Sequence, residues 1–288
     1  MRSFLFIPAD SPKKLDKGMG SGADALILDL EDSISNERKD VARKAALEFL
    51  QNAAKEKTRP RLLVRINGFV TGLTDADLDV IVAGKPDAVM FPKAEGGASI
   101  VHLDAKLTAR EAIAGVAEGH IKIVAQNVES AAGLFLAGTL RGSSARLIGC
   151  TWGPEDLSAE LGAETNRTAD DALTEPYRFA RSVCLFGAAA AQVPAIETVY
   201  IDFRNLDGLR RDTGEARRDG FTGRLAIHPA QVPVINEVFT PTHEQIAHAQ
   251  AIVDAFAAQK GAGAVGIDGK MYDRPHLVRA QALLARTR

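Results

Sequence analysis

Short apolar runs recur along the chain, and each is followed by a segment with the pattern of an amphipathic helix. Charged residues at positions 29, 65, 93, 129 and 156 follow five of these runs, namely 26–28, 62–64, 89–91, 123–124 and 147–148. Short strands that are almost continuously apolar are typical of a parallel sheet covered on both faces. The pattern therefore predicts alternating strands and helices, with polar side chains gathered where the strands end.

We predict eight strand–helix units within residues 1–240, which fits a closed (β/α)8 TIM barrel of the α/β class better than an open sheet. An open doubly wound sheet is the alternative, although no glycine-rich phosphate-binding motif supports it. The longest helix of the barrel is predicted over residues 169–191. The predicted strands are 4–8, 25–30, 62–66, 88–91, 122–126, 146–150, 198–201 and 225–227.

Beyond residue 240 the pattern changes, and residues 241–288 are predicted to form a C-terminal helical extension. An amphipathic helix is expected over 242–259, and a glycine-containing flexible joint follows at 260–264. A polar segment at 266–275 then leads into a last helix at 276–286. This order is typical of a lid or of an arm that crosses between subunits. A helix docked on its own barrel is an equally good interpretation.

Composition and charge exclude several classes of protein. The net charge of -2 and the pI of about 6.3 leave no broad basic surface for nucleic acid or for an anionic membrane. No apolar run approaches the ~18 residues that a membrane helix needs, and the apolar part of MRSFLFIPAD is too short for a signal peptide. Cys150 and Cys184 lie in apolar surroundings without a CxxC spacing. These features predict a cytoplasmic protein with reduced, buried cysteines.

Two carboxylates follow adjacent predicted strands, Glu129 after the fifth and Asp156 after the sixth. At a barrel mouth such a pair can share a proton or hold a hard divalent cation, and Mg²⁺ is typically bound by one or two carboxylates with waters and substrate oxygens. The cation fits better, because Arg65 follows the third strand and arginine is the natural partner of a substrate carboxylate. The alternatives are a surface salt bridge or, for Asp156, the N-cap of a helix that begins at Leu157.

Further charged residues surround these three. Asp29, Glu31 and Asp32 end the second strand, where they can hydrogen-bond the waters of a metal or hold Arg65 and Lys93 in place. Pairing with Arg38 or Lys39 in a purely structural role is the alternative. Acidic neighbours should raise the pKa of Lys93, which indicates an electrostatic support and not a Schiff-base lysine. His228, before Pro229, is interpreted as structural.

Six ordered motifs carry a resemblance to a known family. They are FIPAD at 6–10, LDLED at 28–32, VRIN at 64–67, PK at 92–93, GPEDL at 153–157 and IHPAQ at 227–231. In this order they resemble the citrate lyase beta-subunit-like proteins, the CoA-ester lyase branch of the HpcH/HpaI aldolase superfamily. This branch includes malyl-CoA and citramalyl-CoA lyases. The resemblance covers almost the whole chain.

The resemblance implies a (β/α)8 barrel, dependence on Mg²⁺, and a homotrimer or a larger assembly such as a hexamer. By their matching positions, Glu129 and Asp156 are the expected metal ligands and Arg65 is the expected partner of the substrate carboxylate. The stretch 269–273 resembles the C-terminal segment whose aspartate reaches the site of a neighbouring subunit as the acid or base. That comparison indicates Asp273 as a catalytic residue.

The resemblance also implies a CoA thioester as the substrate and residues that hold its CoA part. Lys14 and Lys17 lie after the first strand, where relatives hold parts of CoA, and a solvated helix face is the alternative reading of this basic loop. The expected reaction is cleavage of a 3-hydroxyacyl-CoA, such as (S)-citramalyl-CoA or malyl-CoA, to acetyl-CoA plus pyruvate or glyoxylate. Many relatives read Ile-Glu-Thr at the first metal ligand, whereas this chain has Val128-Glu129-Ser130 after the polar pair Gln126-Asn127. The departure leaves the oxo-acid product open.

Three other functions are compatible with the sequence. A citrate lyase beta subunit acts on a carrier-bound citryl thioester, and a CoA-independent aldolase acts on a free hydroxy-oxo-acid. The third is a non-catalytic binding module on a barrel scaffold, which fold alone never excludes. The retained Arg65, Glu129 and Asp156 argue against this last interpretation, and the C-terminal tail argues for a stand-alone CoA-dependent enzyme.

Overall fold

A computed structural model of the chain describes residues 1–259 and 261–286. The chain forms two compact units, Met1–Glu237 and Val238–Arg288. The boundary expected at residue 240 stays a prediction. In the part of the chain that the structure describes, no helix is both long enough and apolar enough to cross a membrane.

The first unit is built on eight strands that pair in parallel. The order of the strands in the sheet is β6-β5-β4-β3-β2-β1-β8-β7, and a parallel bridge between Cys150 and Ala195 joins the two ends. This arrangement is a nearly closed α/β barrel and confirms the predicted fold. The strands are β1 Ser3–Pro8, β2 Ala25–Asp29, β3 Arg61–Arg65, β4 Ala88–Phe91, β5 Lys122–Val128, β6 Leu147–Trp152, β7 Ile196–Glu197 and β8 Gly223–Ala226.

Helices follow the strands and cover the outside of the barrel. Apolar side chains from most of the strands fill its interior, including Phe4, Ile27, Leu63, Met90 and Val124, each at most 2% exposed. Because both faces of the sheet are buried, the strands read as continuous apolar runs. The helices are α1 Pro12–Met19, α2 Lys39–Ala53, α3 Thr74–Ile81, α4 Gly96–Ile113, α5 Ala131–Leu136, α6 Pro154–Leu161, α7 Glu175–Ala191, α8 Leu206–Asp219 and α9 Gln231–Phe239.

Two boundaries of the first unit differ from the sequence-based expectation. The seventh strand was expected at 198–201, but β7 ends at Glu197. The Thr198 N–H donates to the Glu197 carboxylate at 3.0 Å, so the chain leaves the sheet there. The helix expected from residue 169 begins at Glu175, because Thr174 is its N-cap and a proline occupies its first turn. Helix α9 was not predicted.

The second unit contains a hairpin that the sequence analysis missed. Helix α10 His243–Ala258 is followed by β9 Ala264–Ile267, β10 Lys270–Asp273 and α11 Arg274–Ala285. Asp268 and Gly269 join the two antiparallel strands with φ of 49° and 73°, as a type I′ turn requires. The polar segment expected at 266–275 is therefore mostly a β-hairpin. Of the flexible joint expected at 260–264, Lys260 lies outside the described residues.

Candidate active site

The carboxyl ends of the barrel strands surround a cavity of about 450 Å³. Part of its lining, here called the apolar wall, consists of Phe6, Val199, Leu225 and Ile227. The remaining polar lining, the polar wall, comes from side chains at or after the ends of strands 2, 3, 5 and 6. The polar wall includes Asp29, Asp32, Arg65, Gln126, Glu129 and Asp156.

Arg65 lies at the centre of a group of buried carboxylates. Its Nε and Nη2 donate to the two oxygens of Asp29, both at 2.7 Å, and its Nη1 lies 3.0 Å from Glu31 Oε2. The guanidinium also packs over the Phe6 ring, 4.7 Å from its centroid. Burial alone would raise the pKa of Asp29, but the hydrogen bonds and charge of Arg65 outweigh it and hold that pKa below its usual value. Arg65 thus lines the cavity and is also the counter-ion of the buried carboxylates Asp29 and Glu31.

Lys93 connects three carboxylates through two different groups. Its backbone N–H donates to Glu129 Oε2 at 2.7 Å, while its Nζ lies 2.7 Å from Glu31 Oε1 and 3.1 Å from Asp156 Oδ1. Burial opposes the charge of the ammonium, but the bond to Glu31 and the negative neighbours raise the pKa of Lys93. Its φ of 51° is a left-handed conformation that residues other than glycine rarely adopt. The contacts support the predicted electrostatic role over a Schiff base.

Glu129 is a deeply buried carboxylate that faces the cavity, with 3% of its surface exposed. Burial raises the pKa of Glu129 to about 8, and the negative charges of Asp156 and Glu31 act in the same direction. Gln126 Nε2 donates to the Oε1 of Glu129. A Cβ at position 153 would lie 2.5 Å from that same oxygen, so any other residue there would displace the carboxylate.

Asp156 lies in the first turn of α6 and lines the same cavity. The N-cap of this helix is Gly153 and not Asp156, so the N-cap alternative is wrong. The side chain of Asp156 is one-third exposed and reaches Lys93. A negative side chain here is also favoured by the partial positive charge of the helix N-terminus.

The donor set fits a hard divalent cation. Glu129 and Asp156 face one cavity, and both contact Lys93. Burial disfavours the charged form of Glu129, and a bound cation would favour that charged form. Within residues 1–259 and 261–286, no three His, Cys, Asp or Glu side chains are arranged to hold a metal by themselves. Two carboxylates with waters and substrate oxygens are the typical ligands of Mg²⁺.

Three candidate residues of the first unit, Lys14, Lys17 and His228, lie away from this cavity. Lys14 and Lys17 are exposed on α1 and do not line it. His228 accepts a hydrogen bond from the Ala230 N–H at 3.1 Å and stacks on Phe203, a local structural role. Asp273 belongs to the second unit, where it is the N-cap of α11 and bonds to His276.

Gln126 and Gly153 are the polar-side residues whose roles the sequence analysis missed. Gln126 was noted only as a departure from relatives, and its side chain proves to contact Glu129. Gly153 could have been identified from its position, because it directly follows a strand and precedes Pro154. There the chain passes close to the buried carboxylate of Glu129. The apolar wall was missed because β7 ends four residues earlier than expected, which leaves Val199 in a loop at the mouth.

Comparisons with known proteins agree with this geometry. The family profile "HpcH/HpaI aldolase/citrate lyase" matches residues 2–229. The beta subunit of citrate lyase from Leuconostoc mesenteroides subsp. cremoris is 33% identical over 98% of this chain and 92% of its own length. Mitochondrial citramalyl-CoA lyase from Rattus norvegicus is 34% identical over 98% of this chain and 85% of its own length.

A solved structure is similar over the whole length. The protein CitE from Mycobacterium tuberculosis, in complex with magnesium, acetoacetate and coenzyme A, superposes with a TM-score of 0.79 at 31% identity. The match covers 99% of this chain and 97% of that one. The relationship expected from the six motifs is therefore confirmed. This chain belongs to the HpcH/HpaI aldolase/citrate lyase family.

Proposed function

We propose that the protein is a Mg²⁺-dependent carbon–carbon lyase that cleaves a 3-hydroxyacyl-CoA thioester to acetyl-CoA and a small oxo-acid. The observation that carries the proposal is the convergence of Glu129, Asp156 and Arg65 on one cavity. The similarity to citramalyl-CoA lyase and to a magnesium and coenzyme A complex supports it. Citramalyl-CoA and malyl-CoA are the substrates we expect, with pyruvate or glyoxylate as the second product. The cytoplasmic location stays a prediction of the sequence.

In this proposal each residue of the polar wall has a distinct task. Glu129 and Asp156 hold Mg²⁺, which when bound lowers the pKa of a coordinated hydroxyl and polarises a carbonyl. Arg65 binds the substrate carboxylate with N–H groups that its bonds to Asp29 and Glu31 leave over, since a guanidinium has five donors and these contacts use three. Lys93 keeps the carboxylates close together against their mutual repulsion.

The apolar wall suits the less polar part of the substrate. Phe6, Val199, Leu225 and Ile227 line the same cavity as Arg65 and the carboxylates. When a base removes the hydroxyl proton and the carbon–carbon bond breaks, the hydroxyl carbon becomes the carbonyl of the oxo-acid and the electron pair of the broken bond moves to the thioester as an enolate. An environment with little water protects such an enolate from protonation by solvent until an acid delivers the proton.

The decisive experiment is an assay of the purified protein with Mg²⁺ against malyl-CoA and both enantiomers of citramalyl-CoA. Release of pyruvate or glyoxylate is the expected result. Turnover of a free hydroxy-oxo-acid with no effect of CoA would contradict the proposal and favour a CoA-independent aldolase. Protection of the protein by CoA against thermal unfolding gives an independent readout of thioester binding.

We further propose Asp273 as the acid that protonates the enolate carbon, in agreement with the resemblance of residues 269–273. Asp273→Asn should stop the exchange of acetyl-CoA methyl protons with solvent while α11 stays intact, because asparagine caps a helix about as well as aspartate. The exchange is followed by NMR. Continued exchange in the asparagine variant would show that Asp273 is not the acid. Asp273→Ala is the comparison variant, because it loses both the helix cap and the negative charge.

We also propose that the protein is a homo-oligomer whose subunits bury an apolar face of the barrel. Phe135 on α5 and Phe179 and Phe186 on α7 are 82%, 56% and 68% exposed. The two helices are neighbours, since a Cβ at Gly187 would lie 3.1 Å from Ala137. No charged residue occurs in 130–140 or 182–196. The three rings expose roughly 400 Å², about half of what one partner buries in a standard interface.

A second copy of the chain is the expected occupant of this face, because lasting homo-oligomeric interfaces are depleted of charge. Light scattering should give a mass that is a multiple of 30.7 kDa. Phe186→Asp should lower that mass, whereas Val70→Asp, at an 84% exposed residue outside the face, should not. A wild-type protein of monomer mass at micromolar concentration would contradict the proposal.

A further inference from the structure

Strand β5 contains one extra residue just before the buried carboxylate of the site. Gln126 pairs with Thr151 and Val128 pairs with Trp152, so two steps along β5 match one step along β6 and Asn127 is the additional residue. In a regular strand, residues three apart point to opposite faces of the sheet. Because the bulge shifts this alternation by one, Gln126 and Glu129 both face the cavity.

The bulge brings the amide of Gln126 onto the carboxylate of Glu129. Gln126 Nε2 donates to Glu129 Oε1, and the Lys93 N–H donates to Oε2 at 2.7 Å. Each oxygen of this carboxylate therefore has one fixed donor within the protein. Since a carboxylate oxygen has about two lone-pair directions, one remains at each oxygen for another partner.

The side-chain amide of Gln126 is itself buried, and only part of its hydrogen-bonding capacity is used. Its side chain is 5% exposed, and its Oε1 has no hydrogen-bond partner among the described residues. A buried amide that leaves its acceptor unsatisfied costs free energy. The bond that its Nε2 makes to Glu129 is the contact that accounts for a polar residue at this position.

We propose that Gln126 is a positioning residue that orients the Glu129 carboxylate toward the divalent cation and thereby sets the affinity of the site for Mg²⁺. The inference rests on the proposed function, because it takes Glu129 as a metal ligand. Groups that hydrogen-bond to ligating side chains typically change metal affinity by about 10- to 100-fold when they are removed. The bulge at Asn127 supplies the geometry that lets Gln126 do this.

The test is the dissociation constant of Mg²⁺ measured by calorimetry on the full chain. Gln126→Met keeps the length of the side chain but has no donor, and it should raise the constant by about 10- to 100-fold. Gln126→Asn is too short to keep the same bond and should also weaken binding, which secures the test if the methionine variant folds poorly. Thr151→Val is the matched control, because Thr151 pairs with Gln126 and its hydroxyl has no partner in the described part of the chain.

The outcomes separate the two proposals. Equal Mg²⁺ affinity of the wild type and folded Gln126→Met would overturn the positioning role and leave the proposed lyase function untouched. An equal loss of affinity in Thr151→Val would also overturn it, because the effect would then come from repacking of the barrel interior. If the wild type binds no Mg²⁺ at millimolar concentration, the proposed function itself fails.

Discussion

Asp156→Ala should abolish Mg²⁺ binding in calorimetry and lower kcat/KM by a factor on the order of 10³ or more. The reason is that Asp156 is one of the two carboxylates proposed as metal ligands. Removal of a metal's charge stabilisation is worth several kcal/mol, with each ~1.4 kcal/mol equal to a factor of ten. The variant should stay folded, because the Asp156 side chain is one-third exposed and forms an ion pair with the partly exposed Lys93.

The comparison variant for this measurement is Glu160→Ala. Glu160 lies in the same helix as Asp156 but outside the cavity, where its carboxylate accepts from the Ala131 N–H. Glu160→Ala removes a negative charge of α6 without changing any residue that lines the cavity. The Mg²⁺ affinity should therefore stay within a factor of about two. Metal binding that persists in Asp156→Ala would show that Asp156 is not a ligand.

Arg65→Met should both inactivate the protein and destabilise its fold by about 3–5 kcal/mol. The loss of stability arises because Asp29 and Glu31, which are 2% and 4% exposed, would be left as buried carboxylates without their main counter-ion. A residue that only bound substrate would cost activity without this penalty. Urea denaturation followed by circular dichroism measures the change in the free energy of unfolding.

Two further variants make this prediction specific. Arg65→Met combined with Asp29→Leu should recover part of the stability but none of the activity, since the unpaired charge is removed while the substrate contact stays absent. Arg38→Met breaks the pair with Asp10, in which the arginine side chain is 51% exposed, and should cost no more than about 1 kcal/mol. An Arg65→Met protein as stable as the wild type would refute the counter-ion role.

The fold was predictable because the signal is repeated. Each strand is buried on both faces, so each appears as a short apolar run, and eight of them with intervening helices leave few architectures. The polar residues after these runs proved to lie around one cavity for the same reason, since parallel strands end at the same side of a barrel. The family motifs then indicated the expected reaction, the cleavage of a CoA ester, and the comparisons confirmed the family.

Features that depend on pairing between strands were not predictable. The bulge at Asn127 follows from the register of β5 against β6, which no local pattern encodes. The end of β7 depends on a bond between Thr198 and the side chain of Glu197. The second function of Arg65 is visible only when Asp29 and Glu31 are placed around it. The hairpin of the second unit was different, because Asp268-Gly269 is a recognisable turn signal that was overlooked.

The close approach of Gly153 to Glu129 has a consequence for how this scaffold can diverge. A side chain at position 153 would displace the carboxylate, so this position cannot contribute a new group to the mouth without moving Glu129. We expect adaptation to oxo-acids of different size to fall on the apolar wall, at Phe6, Val199, Leu225 and Ile227. Enzymes with this architecture should then keep glycine beside the buried carboxylate and acquire their selectivity by altering the apolar residues.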